Sequence, residues 1–167
     1  MIGLCVEPNR FTPNVFSVRY FIQALFLPSS FIDLSLGDII GEWEKQNVSI
    51  ALSTIKEKFN MLFGNINNIG SIVEHVTNNQ LPYFGSIDNK YEFIAYSYLV
   101  MNRYDCAVDY LYKIVSMESE ENAIWRKELI NRAKEMLCLV KQRKWEKIES
   151  ELLNLQHETI KTLHLSE

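Results

Sequence analysis

With 167 residues, 47% of them hydrophobic and 23% charged, the chain is long enough for one domain whose core needs neither disulfide nor metal. This composition excludes a disordered chain, and a formal charge of −4 argues against wholesale nucleic-acid binding. No apolar run approaches the roughly 18 residues of a membrane span. The N-terminus also lacks the basic, apolar and small-residue succession of a leader, so a cytoplasmic location is expected. Cys5, Cys106 and Cys138 form no CxxC or Cys/His cluster and read as buried, reduced thiols.

The first third reads as strand. "IGLCV" is β-compatible, and "EPNRFTPN" after it is turn chemistry. "VFSVRYFIQALFL", residues 15–27, then alternates, with Phe16, Val18, Tyr20, Ile22, Ala24 and Phe26 on one face and a mixed set on the other. Such alternation predicts an antiparallel strand covered on one side. "FIDLSL" continues the meander to a turn at "GDIIG". Two or three strands need helices to pack on, and an open edge invites a homodimer through residues 15–27. A chain that opens directly on a strand also suggests a piece of a longer protein.

From about residue 47 the period becomes helical. Asn47 is the expected cap of a helix along Val48, Leu52, Ile55, Phe59 and Leu62. A shorter helix follows on Ile66, Ile69, Val73 and Val76. Asp88, or Ser86, caps a third, with Tyr91, Ile94, Ala95, Tyr98 and Leu99 as its stripe. The fourth carries Ala107, Val108, Leu111, Ile114 and Val115. The fifth spans about 120–141 along Ile124, Leu129, Ala133, Met136, Leu137 and Val140. A sixth starts near Lys144. Short connections make successive helices antiparallel neighbours. The expected fold is therefore α+β: an antiparallel β region over 1–44 packed, as one compact unit, on about six antiparallel helices over 47–164.

"AYSYLVMNRYDCAVDYLYKIVSM" resembles the centre of a tetratricopeptide repeat. Tyr104 and Ala107 match the family's aromatic and alanine, Leu111 lies one position from its later aromatic, and Asn102 stands at its glycine. The family's later proline is absent, with "ESEEN" in that region. Trp145 and Ile148 form a second echo, 41 residues after the first, where the standard repeat spans roughly 34. The resemblance covers residues 88–163 as two helical hairpins, and implies that Trp145 is substantially buried. The wider layout, a β region ending in "LSLGDIIGEW" and feeding such helices, also resembles an uncharacterised bacterial domain family, of a kind often found near toxin–immunity or accessory genes.

Chemistry-bearing patterns are sparse. His157 and His164 lie seven residues apart, too far for one metal ion on a helix, and neither HExxH, GxSxG nor a phosphate-binding loop is present. Asp38, Glu42 and Glu44 fit the start of a helix, where acids complement the dipole. No cofactor is implied. Between residues 126 and 147, eight bases face three acids around Trp145, the pattern of a docking patch for an acidic protein or for RNA. Tyr96, Tyr110 and Tyr112 lie off the apolar stripes, which predicts aromatic surface of the kind favoured at interfaces. The leading expectation is a non-catalytic protein-interaction module, in the setting of a bacterial immunity or accessory factor, using Tyr96, Tyr110, Tyr112, Arg143, Lys144 and Trp145. The alternatives are RNA or DNA binding through residues 126–147, and an enzyme with Asp38, Glu42 and His75 between the β region and the helices.

Overall fold

The computed structural model describes residues 2–8, 15–27, 31–34, 41–42, 64–78, 86–117 and 123–162, with isolated helical positions between 49 and 61; side chains are described for these residues outside the strands. The chain divides into two units, one of residues 1–23 and 31–84, the other of residues 24–30 and 85–167.

In the first unit the backbone forms β1 (Ile2–Pro8), β2 (Val15–Gln23), β3 (Phe31–Leu34) and β4 (Gly41–Glu42). β2 pairs antiparallel with β1, Ile2 facing Ile22 and Pro8 facing Phe16. It also pairs with β3, Tyr20 facing Leu34, and with β4, Val15 facing Glu42. Over residues 20–22 β2 is therefore paired on both sides, so that stretch offers no free edge to a second copy. Helix α1 (Ile69–Thr77) opens on Asn68, whose side chain accepts from the Ser71 amide at 3.0 Å while the Ser71 hydroxyl accepts from the Asn68 amide. This reciprocal capping satisfies amides that the first helical turn would leave orphaned. Val73 and Val76 are its buried residues.

The second unit holds α2 (Ile87–Val100), α3 (Tyr104–Ser116), α4 (Ile124–Lys141) and α5 (Trp145–Thr162). Ser86 caps α2 by accepting from the Asn89 amide at 3.2 Å; Asp88 is inside the helix and has another task. α2 is buried around most of its circumference: Asp88, Glu92, Phe93, Ile94, Ala95, Tyr96, Ser97 and Leu99 are all inaccessible. Ala107, Leu111 and Ile114 on α3 pack the unit from one side, and Leu129, Ala133 and Met136 on α4 from another. Ala107, with no exposed surface, keeps the spacing at its position small, as only a short side chain permits.

A helix buried on nearly every side must find partners for its polar groups inside the protein; the two carboxylates of α2 meet arginines, while Asp88 Oδ1 and Ser97 Oγ have no hydrogen bond among the described residues. Asp88 Oδ2 lies 2.9 Å from Arg126 Nε, and Glu92 Oε1 lies 2.8 Å from Arg132 Nη2 and 3.1 Å from its Nε. Both arginines come from α4, so the two pairs fix its position along α2.

The turns joining α2 to α3 and α4 to α5 are built alike. In the first, the Arg103 amide donates to Tyr98 O at 2.8 Å and the Asn102 amide to Leu99 O at 3.0 Å. In the second, the Lys144 amide donates to Leu139 O and the Arg143 amide to Val140 O, both at 3.0 Å. Each is a Schellman closure. Its left-handed residue is Asn102 (φ 58°) in one turn and Arg143 (φ 54°) in the other. All four bonded pairs repeat at the same offset of 41 residues.

The expected α+β fold is corrected by these observations. Of the residues whose side chains are described, about 81% are helical and none lies in a strand or sheet. The described core consists of helices that cover one another. The alternating run 15–27, read as a single strand, stops at Gln23; the Leu27 amide then donates to Ala24 O at 3.1 Å in a tight turn. Ala24 and Leu27 belong to the helical unit, and Leu27 is fully buried there. Ile124, expected on the apolar stripe of its helix, is instead 75% exposed at the first position of α4. Cys138, expected to be buried, is exposed, and both it and Cys106 are free thiols.

Replacing Arg132 by Met should take the guanidinium away from the buried Glu92 carboxylate and cost about 3–5 kcal/mol of stability. The double variant Glu92→Leu/Arg132→Met should recover most of that loss. Urea titration of the three proteins checks both statements.

Candidate functional site

The first turn of α5 places Trp145 against Tyr104, the first residue of α3. The two rings stack with centroids 4.1 Å apart and planes inclined by 19°. The aromatics of the two equivalent turns thus meet face to face, a contact worth about 0.5–1.5 kcal/mol beyond area burial. Trp145 keeps 39% of its surface exposed, which corrects the substantial burial implied by the repeat resemblance. Its ring is covered on one face by Tyr104 and not enclosed. From Tyr104 the same face of α3 continues through Val108 to Tyr112, at the four-residue spacing of helical neighbours. Tyr112 is 46% exposed, and Lys141 Nζ lies 4.8 Å from its ring centroid. Between these elements runs a groove of about 620 Å³ lined by Arg103, Tyr104, Lys141, Arg143 and Trp145, with Asp105 its one acid among the described lining residues.

Tyr110 points into a different group. Its ring is 5.9 Å from that of Tyr91 and 6.0 Å from that of Tyr98. Lys113 Nζ sits 4.1 Å from the Tyr110 centroid and 5.5 Å from that of Tyr91, while Arg103 caps Tyr98 at 5.0 Å. Partial burial, with the neighbouring Tyr110 second, pushes the Tyr98 phenol above its ordinary value. The cations shield the aromatic faces, and Tyr110 is only half-exposed.

Two expected surface residues lie elsewhere. Tyr96, 1% exposed, is inside the protein and presents no ring to a partner. Its position off the apolar stripe predicts exposure only for a helix with an outer side, and α2 has almost none. Burial, then the nearby Glu92 carboxylate, raises its phenol well above the ordinary value. Lys144 turns away from the Trp145 groove and borders a separate cleft of about 400 Å³ together with Tyr96. The structure therefore brings Arg143 and Trp145 together in the groove, links Tyr112 to its rim through Lys141, sets Tyr110 on a separate aromatic cluster, and places Tyr96 and Lys144 at another cleft.

Sequence reasoning missed Lys141 and Arg103 as members of the groove, and it used Tyr104 only as a packing residue. The 41-residue echo held the signal, because two equivalent turns that pack together must bring their equivalent aromatics close. The expected basic patch is divided: Arg126 and Arg132 are committed to Asp88 and Glu92. His75 is engaged through Nδ1 with Ser71 O at 2.8 Å. Asp38 and the side chain of Glu42 lie outside the described residues. Among the described residues no three His, Cys, Asp or Glu side chains converge as a metal site, and no helix is long and apolar enough to cross a membrane.

No protein-family model matches the chain, and neither a curated protein nor a solved structure matches it.

A phenol held above its ordinary value of 10.0 favours the folded state while protonated. Its contribution is complete below that value and declines as the pH rises through and beyond it. Wild type should therefore lose stability in urea as the pH is raised past about 10, more steeply than Tyr96→Phe. Equal slopes would show that Tyr96 does not carry the effect.

Proposed function

We propose that the helical unit is a non-catalytic protein-interaction module that engages an acidic partner across the Tyr112–Lys141–Arg143–Trp145 surface. The observation that carries this reading is the conformation of Arg143. A left-handed backbone costs a non-glycine residue about 1–2 kcal/mol, and asparagine at the equivalent turn position fits the left-handed region more readily. Arginine is held there at φ 54° beside an exposed tryptophan, as expected where strain is tolerated for the side chain it presents. The two exposed rings with Arg103 and Arg143 are of the residue types enriched at interface hot spots, and Lys141 adds to the same sign of charge.

The paired, geometrically equivalent hairpins support a tetratricopeptide-like reading of residues 88–163, and an accessory or immunity factor that works by binding another protein is the role proposed with it. Protein is favoured over nucleic acid as the partner because two of the eight bases between residues 126 and 147 are neutralised within the fold.

Arg143→Gly separates the two roles of this residue. It should raise stability by about 1 kcal/mol through release of the left-handed strain and at the same time weaken capture of the partner by the tagged full-length protein. Tyr112→Ala/Trp145→Ala should abolish capture. Undiminished capture by both variants would overturn the surface. RNA binding by the protein alone at low salt that falls steeply as salt is raised, together with capture that is lost after nuclease treatment, would transfer the site to nucleic acid.

A further inference from the structure

We propose that the cleft between α2, α4 and α5 binds a small zwitterion with an apolar body, of the chemical class of a free apolar amino acid. This site lies apart from the Trp145 groove and does not rest on the function proposed for it.

Charges of both signs stand at the rim of the cleft. Glu135 comes from α4, Lys144 from the turn, and Lys147 and Glu151 from the first two turns of α5. All four are exposed, and none belongs to an ion pair among the described residues. Lys147 and Glu151 are four apart on one helix, close enough to pair, yet both border the opening. Two cationic and two anionic groups around one cleft can meet a molecule that carries both signs. A purely anionic ligand would face the two glutamates, and a purely cationic one the two lysines.

The interior fits the rest of such a molecule. Met136 is 4% exposed, and Leu139 and Leu155 are half-buried, so the cleft has an apolar lining. Tyr96, nine-tenths and more buried, contributes its phenol to the same wall. Arg132 also borders the space, but its guanidinium is bound to Glu92 at 2.8 Å and holds the wall instead of the ligand. A volume of about 400 Å³ lies in the lower range of small-molecule sites, which combine an apolar lining with a few placed polar groups. It suits a molecule the size of leucine or phenylalanine and is too small for a folded segment.

Isothermal titration of the full chain with L-leucine and L-phenylalanine tests the proposal. N-acetyl-leucine removes the cation, leucinamide removes the anion, and glycine removes the apolar body. Saturable binding of the free amino acids is expected, weakened about tenfold or more in N-acetyl-leucine and in leucinamide, since one charge-assisted hydrogen bond is worth about that factor, and weakened in glycine by the loss of apolar burial. Lys144→Gln/Lys147→Gln should erase the preference for leucine over leucinamide while keeping the preference over N-acetyl-leucine. Glu135→Gln/Glu151→Gln should do the reverse. These side chains are exposed, and circular dichroism of each variant checks that the helices persist. Absence of saturable heat, equal binding of the blocked analogues, or preference for a capped apolar peptide would each overturn the assignment.

Discussion

The Glu92 side chain is almost wholly withdrawn from water, and Arg132 reaches it from α4 at 2.8 Å. Coulombic attraction in a poorly screened interior is strong, but so is the cost of desolvating each ion. The pair therefore contributes registry more than net stability. With Asp88–Arg126 it forms two fixed points between α2 and α4. On α2 the acids are one turn apart, about 6 Å, and on α4 the arginines span about 9 Å; the length of the arginine side chains absorbs the difference. Once α4 is set in this way, its C-terminal end is set too. Lys141 then lies against Tyr112, Arg143 borders the groove, and Glu135 borders the cleft. Both candidate sites lie on a helix that these buried ion pairs help to place, together with its packing against α3.

The two turns show how one backbone device serves different ends. Both close by the same pair of hydrogen bonds and launch a helix whose first residue is aromatic. The residue before that aromatic differs in use: Arg103 folds back over Tyr98, while Lys144 opens toward the α2–α4–α5 cleft. Their left-handed residues differ as well. Asn102 accepts a hydrogen bond from the Tyr104 hydroxyl at 2.7 Å, which steadies the first turn with a local contact. Arg143 instead carries a long cation into the neighbouring groove. A repeated scaffold with diverged side chains separates support from display.

Helix positions were legible because they depend on local periodicity. Ala107, Leu111, Ile114, Ala133 and Ile148 fall where the three-and-four spacing predicts a core. What was not legible depends on which helix is surrounded. α2 has a weakly amphipathic sequence, with Asp88, Glu92, Tyr96 and Ser97 among its buried residues. Its central place is set by partners 30 to 40 residues away in sequence, so Tyr96 read as a surface aromatic. The alternation over residues 15–27 also misled. Period two persists through Ala24 and Phe26, yet the strand stops at Gln23 and the following residues serve the helical unit. In the candidate surface, Trp145, Arg143 and Tyr112 were legible from type and position. The stack that organises them was not, because face-to-face contact between equivalent aromatics requires knowing that the hairpins pack together.

That stack has an optical consequence. Two aromatic chromophores held 4.1 Å apart and nearly parallel couple their transitions strongly, and the coupling falls quickly with separation or tilt. One ring sits at the start of α3 and the other at the start of α5, so the molecule carries its own gauge of hairpin spacing. Any ligand or partner that spread or rotated the hairpins would register as a change in near-ultraviolet ellipticity, with no label attached.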